Sequence, residues 1–393
     1  MSFHLDRQTD IILVGAGLSA SLFAWTLKQR RPDARIVIFD SLPEAADSKT
    51  WSFHVGDVSD QIDLLRPLLA REWSSHAVHF HGFSREMRGA YASIRPVTLF
   101  RRMREVLGDD LRMNTNIVDI ASDRVRAADG RVYEAPCVID ARGFVTAPRG
   151  RLGYQKFGGL HLRLKHPHGM KAPILMDATV AQVDGFRFFY VLPWDDRGLL
   201  VEDTRYSDTP DLDEAAMQAE IFAYAGRRGW SVEEIEGRES GVLPIPLDTL
   251  DAFGGRGMLG DTDGQVPRIG VGGGLFHPVT GYSLPDGVRM ASRLAALEPA
   301  RLTSAEAIRQ IAAYRRERKG DEKFFLLLNR MMFLAAAPER RHEIFSRFYG
   351  LSEDLIARFY RGQPALRDKV RVLSGRPPVP VVAAMKAALS RSV

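Results

Sequence analysis

The sequence lacks the features that mark disulfide-bonded, metal-binding and membrane-spanning proteins. Cys137 is the single cysteine among 393 residues, which excludes an internal disulfide and favours a reducing, cytoplasmic setting. No cysteine and histidine cluster has the spacing of a metal site. The longest apolar run, FFLLLNRMMFLAAA at 324–337, is too short and too interrupted to span a bilayer. The opening MSFHLDRQTD lacks the pattern of a signal peptide.

The composition is that of a folded protein, but the charge is unevenly distributed. With 45% hydrophobic and 26% charged residues, the chain can form a large core and two structural regions. Residues 301–393 contain 19 lysines and arginines against 9 acidic residues, which indicates an anionic partner. The sequence has no nucleic-acid motif, and the basic residues alternate with Phe, Leu and Met. A membrane surface therefore fits better, and the alternative is the solvated face of an ordinary helical region.

The N-terminal segment predicts a dinucleotide-binding unit. DIILVGAGLSASLFAWTLKQRRPDARIVIFDS is typical of a buried strand, a glycine turn, a helix and a second strand. Gly15, Ala16 and Gly17 begin the G-x-G-x-x-A motif, and Asp40 ends the second strand. The glycines let a pyrophosphate approach the helix N-terminus, and Asp40 would accept hydrogen bonds from a ribose diol. An acid at this position disfavours NADP.

Two later glycine elements favour FAD over NAD. VIDARG at 138–143 is similar to the strand and glycine segment that flavoproteins place against FAD. GGGLFHPVTGYSL at 272–284 is a second glycine turn that enters a helix, so Gly143, Gly274, Thr280 and Gly281 are predicted cofactor contacts. The arrangement resembles the FAD domain of hydroxylase-like flavoproteins. Those hydroxylases carry a Gly-Asp pair before the late turn, whereas Gly260-Asp261 lies about ten residues early, which argues against hydroxylase chemistry.

The rest of the chain predicts an α/β protein with three regions. Residues 1–150 and 262–300 together form the discontinuous Rossmann-type FAD-binding domain. Residues 151–261 are rich in alternating strands and turns and form the substrate region. Residues 301–393 are basic, mostly helical and expected to associate with a membrane.

Several stretches together resemble one family, the bacterial lycopene β-cyclases, over essentially the whole chain and in order. The matching stretches are KTWSFH (49–54), LKHPHG (164–169), MDATV (176–180), VEDTRY (201–206), GLFHPVTGYSLP (274–285), LNRMMFLAA (328–336), RFYGLSEDLIARFY (347–360) and SGRPPVP (374–380). The resemblance implies a peripheral membrane flavoprotein on the cytoplasmic side that converts the open ends of lycopene and related acyclic carotenoids to β-rings. It also implies a need for reduced FAD, with NAD(P)H as the electron donor, although substrate and product are isomers.

This chemistry needs a protonated acid in a dry apolar pocket, stabilisation of a carbocation, and a base. Burial raises the pKa of a carboxyl group and keeps it protonated. Even so, a carboxylic acid is weak towards an alkene, so stabilising the cation must lower much of the barrier. Negative charge on reduced flavin and the aromatic faces of Trp51, Phe53 and Tyr282 are candidates for that role.

Adjacent carboxylates in LLVEDTRY are the candidates for the acid. FRFFYVLPW and LLVEDTRY flank the turn DDRG and predict a hairpin, and the aromatic run 186–194 suits either a polyene channel or a sheet core. Neighbours on a strand point to opposite faces, so Glu202 and Asp203 cannot face the same pocket. Asp203 shares its face with Arg205, whereas Glu202 has apolar and neutral neighbours. Glu202 is therefore the predicted general acid, and Asp203 is either the counter-base or a member of an ion pair.

Other polar residues have weaker claims to a catalytic role. His277 either assists proton loss or is a structural histidine beside the flavin. Asp177 is expected to cap a turn, and Asp140 to support the cofactor loop with Arg142 as its partner or as a phosphate contact. Two other functions remain open: a flavin monooxygenase or reductase acting on an isoprenoid, which would consume NAD(P)H, and an isoprenoid carrier without FAD.

Overall fold

The structure is a computed structural model that describes residues 9–43, 49–144, 148–250, 253, 266–375 and 379–390. The strands in chain order are β1 (Ile11–Val14), β2 (Ile36–Phe39), β3 (Trp51–His54), β4 (Arg71–Trp73), β5 (His76–Phe80), β6 (Phe83–Met87), β7 (Tyr91–Ile94), β8 (Leu111–Arg112), β9 (Ile117–Ile120), β10 (Arg124–Ala127), β11 (Val132–Glu134), β12 (Cys137–Asp140), β13 (Leu152–Leu164), β14 (Ile174–Asp177), β15 (Phe186–Pro193), β16 (Gly198–Ser207) and β17 (Val232–Pro246). The helices are α1 (Leu18–Arg30), α2 (Ile62–Leu65), α3 (Pro96–Leu107), α4 (Glu214–Arg227), α5 (Leu284–Ala295), α6 (Ser304–Arg330), α7 (Arg341–Tyr349), α8 (Glu353–Tyr360), α9 (Leu366–Leu373) and α10 (Val381–Leu389).

A parallel sheet in the order β12-β1-β2-β8 carries the glycine turn. Side chains on one face of β1 and β2 pack against α1 and α5, and those on the other face pack against the small β9-β10-β11 sheet. Both strands are therefore buried on two sides, which explains their unbroken apolar sequences. The strand, helix and strand predicted for this segment are confirmed.

A larger sheet in the order β17-β13-β16-β15-β14-β5-β6 lies beside the parallel sheet. Its strands pair antiparallel except β14 and β5, which are parallel. One face of β13 and β16 is covered by α4, and the opposite face packs on the C-terminal helices. Because β5 and β6 precede residue 150, the sheet draws on both of the first two predicted regions, and that three-region division stays a prediction.

The predicted hairpin is confirmed, because β15 and β16 pair antiparallel from Phe186 opposite Tyr206 to Pro193 opposite Leu199. Val201 and Asp203 point towards α4, whereas Leu200 points to the opposite face. The alternation predicted from the sequence therefore separates the two adjacent carboxylates.

The region after residue 303 is mostly helical where the structure describes it, as predicted. Thr303 caps α6 by accepting a hydrogen bond from the Glu306 nitrogen, and a π-helical turn, Met331–Ala335, ends that helix. No helix in the described ranges is long and apolar enough to cross a membrane.

Just before the late glycine turn, the backbone pairs with β12 through a bridge between Asp140 and Arg268. Gly270 has φ of 70° and a 3₁₀ turn follows at Val271–Gly273, so the backbone turns before a strand can extend. The Gly260-Asp261 pair lies outside the described residues.

Candidate active site

The turn between β1 and α1 leaves a groove above the helix N-terminus. Gly15 has φ of 103°, and a Cβ at this position would lie 2.9 Å from the Arg142 nitrogen, so glycine is required. Gly17 is the N-cap of α1 without a side-chain cap, and an added Cβ there would meet no atom within 4 Å. The first N–H groups of α1 therefore border open space that suits an anionic group such as a pyrophosphate.

Asp40 lies at one end of this groove. Its Oδ2 accepts a hydrogen bond from the Ala16 nitrogen at 2.7 Å, and its Oδ1 accepts one from the Leu42 nitrogen at 2.9 Å. Asp40, Ala16 and Gly17 line one pocket together with residues of α3 and β8. A carboxylate held in this position retains a lone pair on each oxygen, which fits the role predicted for Asp40 on a ribose diol.

A cavity of about 310 Å³ extends from the same groove to the large sheet. Gly17 and Trp51 line both spaces, so the groove and the cavity adjoin. Gly143, Thr280 and Gly281 lie on the cavity wall, as expected of cofactor contacts. An added Cβ on Gly143 would meet no atom within 4 Å, so this part of the wall also faces open space.

Gly274 is not on the cavity wall. It has φ of 69°, and an added Cβ would point at the Leu250 carbonyl oxygen, 3.4 Å away. Gly274 therefore closes the turn. Its prediction as a cofactor contact needs correction, because the position of an added Cβ faces Leu250 and not the cavity. Gly270 and Val271, which the sequence analysis did not single out, form that part of the wall.

His277 is buried and both of its ring nitrogens are engaged. Nε2 donates to the Phe359 carbonyl at 2.9 Å, and Nδ1 accepts from the Val279 nitrogen at 3.2 Å. Burial lowers the pKa of His277 to about 4, so the ring is neutral. The geometry favours the structural alternative for His277, which holds the loop that carries Thr280 and Gly281.

The other two acids considered in the sequence also have structural partners. Asp177 Oδ1 accepts hydrogen bonds from the backbone and hydroxyl of Thr179, as expected of a turn cap, and Oδ2 accepts from Tyr224 and Arg228. Asp140 forms a two-point ion pair with Arg142 at 2.9 and 3.0 Å, so Arg142 pairs with this acid.

Asp203 lies on the α4 side of the sheet and is fully buried. Arg187 donates to both of its oxygens at 2.9 and 3.0 Å, and Arg205 donates to Oδ2 at 2.8 Å. Asp203 does not line the cavity. The geometry therefore favours the ion-pair alternative for Asp203 over a counter-base.

Glu202 lines the cavity and faces a second carboxylate that sequence reasoning missed. Gly159 of β13 pairs with Glu202 of β16 on one side and with Glu239 of β17 on the other. Directly opposed residues in antiparallel strands point to the same face, so the two glutamates meet across the glycine. A Cβ at position 159 would lie 2.8 Å from the Cγ of Glu202 and 3.1 Å from the Cγ of Glu239.

The surroundings make the two glutamates ionise differently. Burial, together with the hydrogen bond and negative charge of Glu239, raises the pKa of Glu202 well above its usual value, and Lys49 offsets only part of this. Burial also acts to raise the pKa of Glu239, but hydrogen bonds from His161 and Glu202 outweigh it and lower that pKa to about 2. Glu202 therefore carries the proton and Glu239 the charge.

Aromatic side chains form part of the cavity wall around Glu202, and Tyr190 is its direct neighbour across β15 and β16. The Tyr91 hydroxyl lies 3.1 Å from that of Tyr190 and 3.2 Å from that of Tyr282. Tyr190 and Tyr282 line the cavity with Trp51 and Phe188, so part of the aromatic run 186–194 does border it. Phe53 is fully buried in the core cluster that includes α1 and α5, and it does not line the cavity. Its prediction as an aromatic face for the cation is therefore wrong.

A smaller apolar cavity of about 110 Å³ lies among the C-terminal helices. It shares Thr280 and Tyr360 with the main cavity, and the Tyr360 hydroxyl lies 2.5 Å from that of Tyr349. Its other walls come from α6 to α9 and the π-helical turn, and they include Leu328 and Leu351.

The partners of Glu202 are distant in sequence, which is why the sequence analysis missed them. Glu239 lies on an exposed-looking strand segment, VEEIEGRES, where acids usually face solvent. One local feature could have pointed to the site: Gly158 and Gly159 stand side by side in the middle of β13. Glycine inside a strand often marks the close approach of a neighbour.

Comparison with protein families and curated proteins points to one activity. The family model described as lycopene cyclase protein matches residues 10–386. The lycopene beta-cyclase of Pantoea ananas is 42% identical over 383 residues, covering 97% of this chain and 98% of that protein. The lycopene beta-cyclase of a Paracoccus species is 38% identical over 381 residues, with 96% of each chain covered.

Comparison with solved structures shows the fold. Flavin-dependent brominase Bmp2 aligns with a TM-score of 0.61 at 10% identity, covering 91% of this chain and 94% of that one. A geranylgeranyl bacteriochlorophyll reductase-like protein from Thermoplasma acidophilum has a TM-score of 0.59 at 11% identity, covering 94% and 97%. Klebsiella pneumoniae HpxO complexed with FAD and uric acid has a TM-score of 0.58 at 16% identity, covering 93% and 97%. The predicted fold of hydroxylase-like flavoproteins is confirmed.

Proposed function

The chain belongs to the lycopene cyclase family, and we propose that it is a lycopene β-cyclase, which closes the open ends of lycopene into β-rings. The family resemblance predicted from the sequence is confirmed. One observation carries the proposed chemistry: Glu202 is a carboxyl group that retains its proton while facing a cavity with aromatic walls. The reaction is an intramolecular isomerisation without net redox change, and lycopene passes through γ-carotene to β-carotene.

The groove and the adjoining cavity fit FAD. Gly17 and Gly143 both border open space that a side chain would fill, and Asp40 lies at the far end of the groove. We assign these residues, with Thr280 and Gly281, to holding FAD along the groove and into the adjoining cavity. Reduced FAD, maintained by NAD(P)H, would supply negative charge beside a cation in the adjoining cavity without transferring electrons to the substrate.

Glu202 starts the reaction as the general acid. Its proton goes to the terminal C=C of the polyene, and the resulting tertiary cation is attacked by a second C=C within the same chain end. Loss of a proton from the new ring then gives the β-ring. A protonated carboxyl group serves this step only where water is kept out, since water would both ionise the acid and trap the cation.

The aromatic wall stabilises the cation. Burial raises the pKa of Tyr190 well above its usual value and raises that of Tyr282 to about 12, so both phenols stay neutral. Neutral aromatic faces attract a cation without offering a nucleophilic oxyanion. Trp51, Tyr190 and Tyr282 are therefore the side chains that we assign to this role.

A long apolar substrate also needs room beyond the reacting end and a route from the membrane. The apolar cavity among the C-terminal helices adjoins the main cavity at Thr280 and Tyr360 and supports a path for the rest of the polyene. The carotenoid dissolves in the membrane. The exposed apolar side of α10 supports peripheral attachment of the protein to the cytoplasmic side of that membrane.

The test is pigment analysis in a bacterial host that accumulates lycopene. Wild type should yield β-carotene, whereas Glu202→Gln should retain FAD and leave lycopene unconverted, because an amide has no proton of comparable acidity. Glu234→Gln, which changes an exposed acid on the neighbouring part of the same sheet, in β17, is the matched control and should cyclise normally.

Other products would point elsewhere. Lycopene left untouched by the wild type would contradict the proposed function. An oxygenated or hydrogenated isoprenoid would instead indicate the alternative, a flavin monooxygenase or reductase. Cyclisation by Glu202→Gln at the wild-type rate would remove Glu202 as the acid.

A further inference from the structure

The contacts of Glu239 hold it as a carboxylate that faces Glu202. Its Oε2 accepts hydrogen bonds from the nitrogen and hydroxyl of Thr50 at 2.9 and 3.0 Å, and the Nε2 of His161 lies 3.5 Å away. Its Oε1 is buried, and apart from the facing carboxyl group of Glu202 no donor of the described residues hydrogen-bonds to it. A buried carboxylate oxygen in this state is costly unless a protonated group, such as the facing Glu202, donates to it.

We propose that Glu202 and Glu239 act as a carboxyl–carboxylate pair that shares one proton, with Glu239 as the ionised positioning residue and Gly159 as the gap that lets them meet. This inference rests on the proposed function, and it adds a residue to the site. The register carries it, because both glutamates oppose Gly159 and any side chain at position 159 would push their Cγ atoms apart.

The pair also lies between two spaces. Glu202 and Lys49 line the cavity proposed for the polyene, whereas Glu239, Gly159 and Lys49 line a separate cleft of about 270 Å³. That cleft is bordered by the exposed residues Glu214 and Arg238. The carboxylate that sets the protonation of Glu202 therefore has its own contact with the outer cleft, so the polyene cavity need not admit water for the pair to exchange its proton.

The charge balance of the reaction gives the pair a second use. When Glu202 gives its proton to the polyene, two adjacent carboxylates remain, and their attraction for the carbocation offsets part of the cost of forming it. Two adjacent carboxylates repel each other, so together they form a strong base. The proton lost from the new ring carbon returns to the pair, so the electron count of the substrate is unchanged and the pair is restored for the next turnover.

The groups that face Glu202 act on its proton in known directions. Glu239 favours the protonated form, and Lys49, on the segment before β3, favours the ionised form. Tyr190 and Tyr282 face it from β15 and the late turn and are neutral. Replacing Glu239 with Gln removes the charge that retains the proton and places an amide donor beside Glu202, so Glu202 should ionise at a lower pH.

The decisive measurement is the pH profile of kcat/KM for lycopene cyclisation by FAD-loaded enzyme in carotenoid-containing vesicles. In Glu239→Gln the alkaline limb should move to lower pH by about one unit, which is about a tenfold loss above that limb, while activity at acid pH is retained. Glu234→Gln should keep the wild-type profile. Gly159→Ala, which keeps both acids but separates them, should shift the limb in the same direction and decides the matter if Glu239→Gln does not fold.

Three outcomes would separately contradict the shared proton, the positioning role of Glu239 and the cyclase function. If wild type cyclises lycopene and neither variant moves the alkaline limb, the shared proton is wrong and the cyclase function stands. If folded, FAD-bound Glu239→Gln is inactive at every pH, Glu239 is itself the reacting acid and the positioning role is wrong. If wild type does not cyclise lycopene at all, the proposed function fails first.

Discussion

Glu202 and Asp203 differ by one methylene group and are adjacent in the chain, yet their surroundings are opposite in charge. Asp203 forms ion pairs with Arg187 and Arg205. Glu202 faces the cavity and another carboxylate, Glu239, which favours the acid. At the scale of single residues, the surroundings of the two carboxyl groups therefore give Glu202 the role of an acid and Asp203 that of an ion-pair member.

The ion pair of Asp203 makes a stability prediction. Asp203→Asn removes the carboxylate that pairs with both ends of the buried Arg187 guanidinium and leaves that guanidinium paired with the half-exposed Glu220, so the free energy of unfolding should fall by about 3 kcal/mol. Urea unfolding monitored by circular dichroism measures this. Asp63→Asn, which breaks an exposed pair with Arg66, should change stability by less than about 1 kcal/mol. A stable, folded Asp203→Asn protein that no longer cyclises lycopene would instead give Asp203 a role in the chemistry.

At the scale of elements, the alternation of side chains along β16 and the position of Gly159 in β13 do most to build the site. A strand shifted by one residue would exchange Glu202 with Asp203 and place the ion-pair acid in the cavity. The helix α10 illustrates a different property, because Ala387 is buried while Val381, Val382, Met385 and Leu389 remain exposed. A helix that leaves its larger apolar side chains outside is suited to a lipid surface.

The proposed membrane attachment through α10 can be tested by vesicle co-sedimentation. Replacing Val381, Val382, Met385 and Leu389 with Ser should lower the membrane-bound fraction by about tenfold or more, since each buried apolar side chain contributes about 1.5 kcal/mol or more. Removing residues 379–393 should have the same effect.

The matched control for that experiment changes exposed apolar residues elsewhere. Val97 on α3 and Val118 on β9 are about as exposed as the α10 residues, at 55% and 50%. Their replacement with Ser should leave the partition unchanged. An unchanged partition after the α10 substitutions would exclude this helix as an anchor.

At the scale of the whole molecule, the cofactor groove depends on segments far apart in the chain. The first glycine turn, the strand end at 140–143 and the late turn at 270–284 meet only in the folded protein. A ligand that contacts all three should therefore stabilise the fold as a unit.

FAD linkage tests this point. Wild type with FAD at about 100 times its Kd should gain about 2.7 kcal/mol of stability. Gly17→Val should fold as the apo wild type does, because an added Cβ meets nothing within 4 Å, but should lose the FAD-dependent gain because the side chain fills the groove. Gly226→Val, at an equally open helical position on α4, should keep that gain. Retention of FAD by Gly17→Val would contradict the assigned groove.

Local patterns in the sequence predicted much of the fold. The glycine turn, the apolar strands and the acid that ends β2 identified the dinucleotide unit, and the turn DDRG with its alternating flanks identified the hairpin. The fold of the late glycine turn was less predictable, since Gly274 and Gly270 have similar neighbours in sequence and only the backbone path decides which one faces the cavity.

The sequence by itself determined that Glu202 and Asp203 face opposite sides, because alternation is a property of every extended strand. It also determined the family, because the matching stretches are local and specific. Only the tertiary structure decided that Glu202 keeps its proton beside Glu239 across Gly159. The pairing of β13 with both β16 and β17 brings residues 37 positions apart into one pair, and an electrostatic effect depends on distance in space.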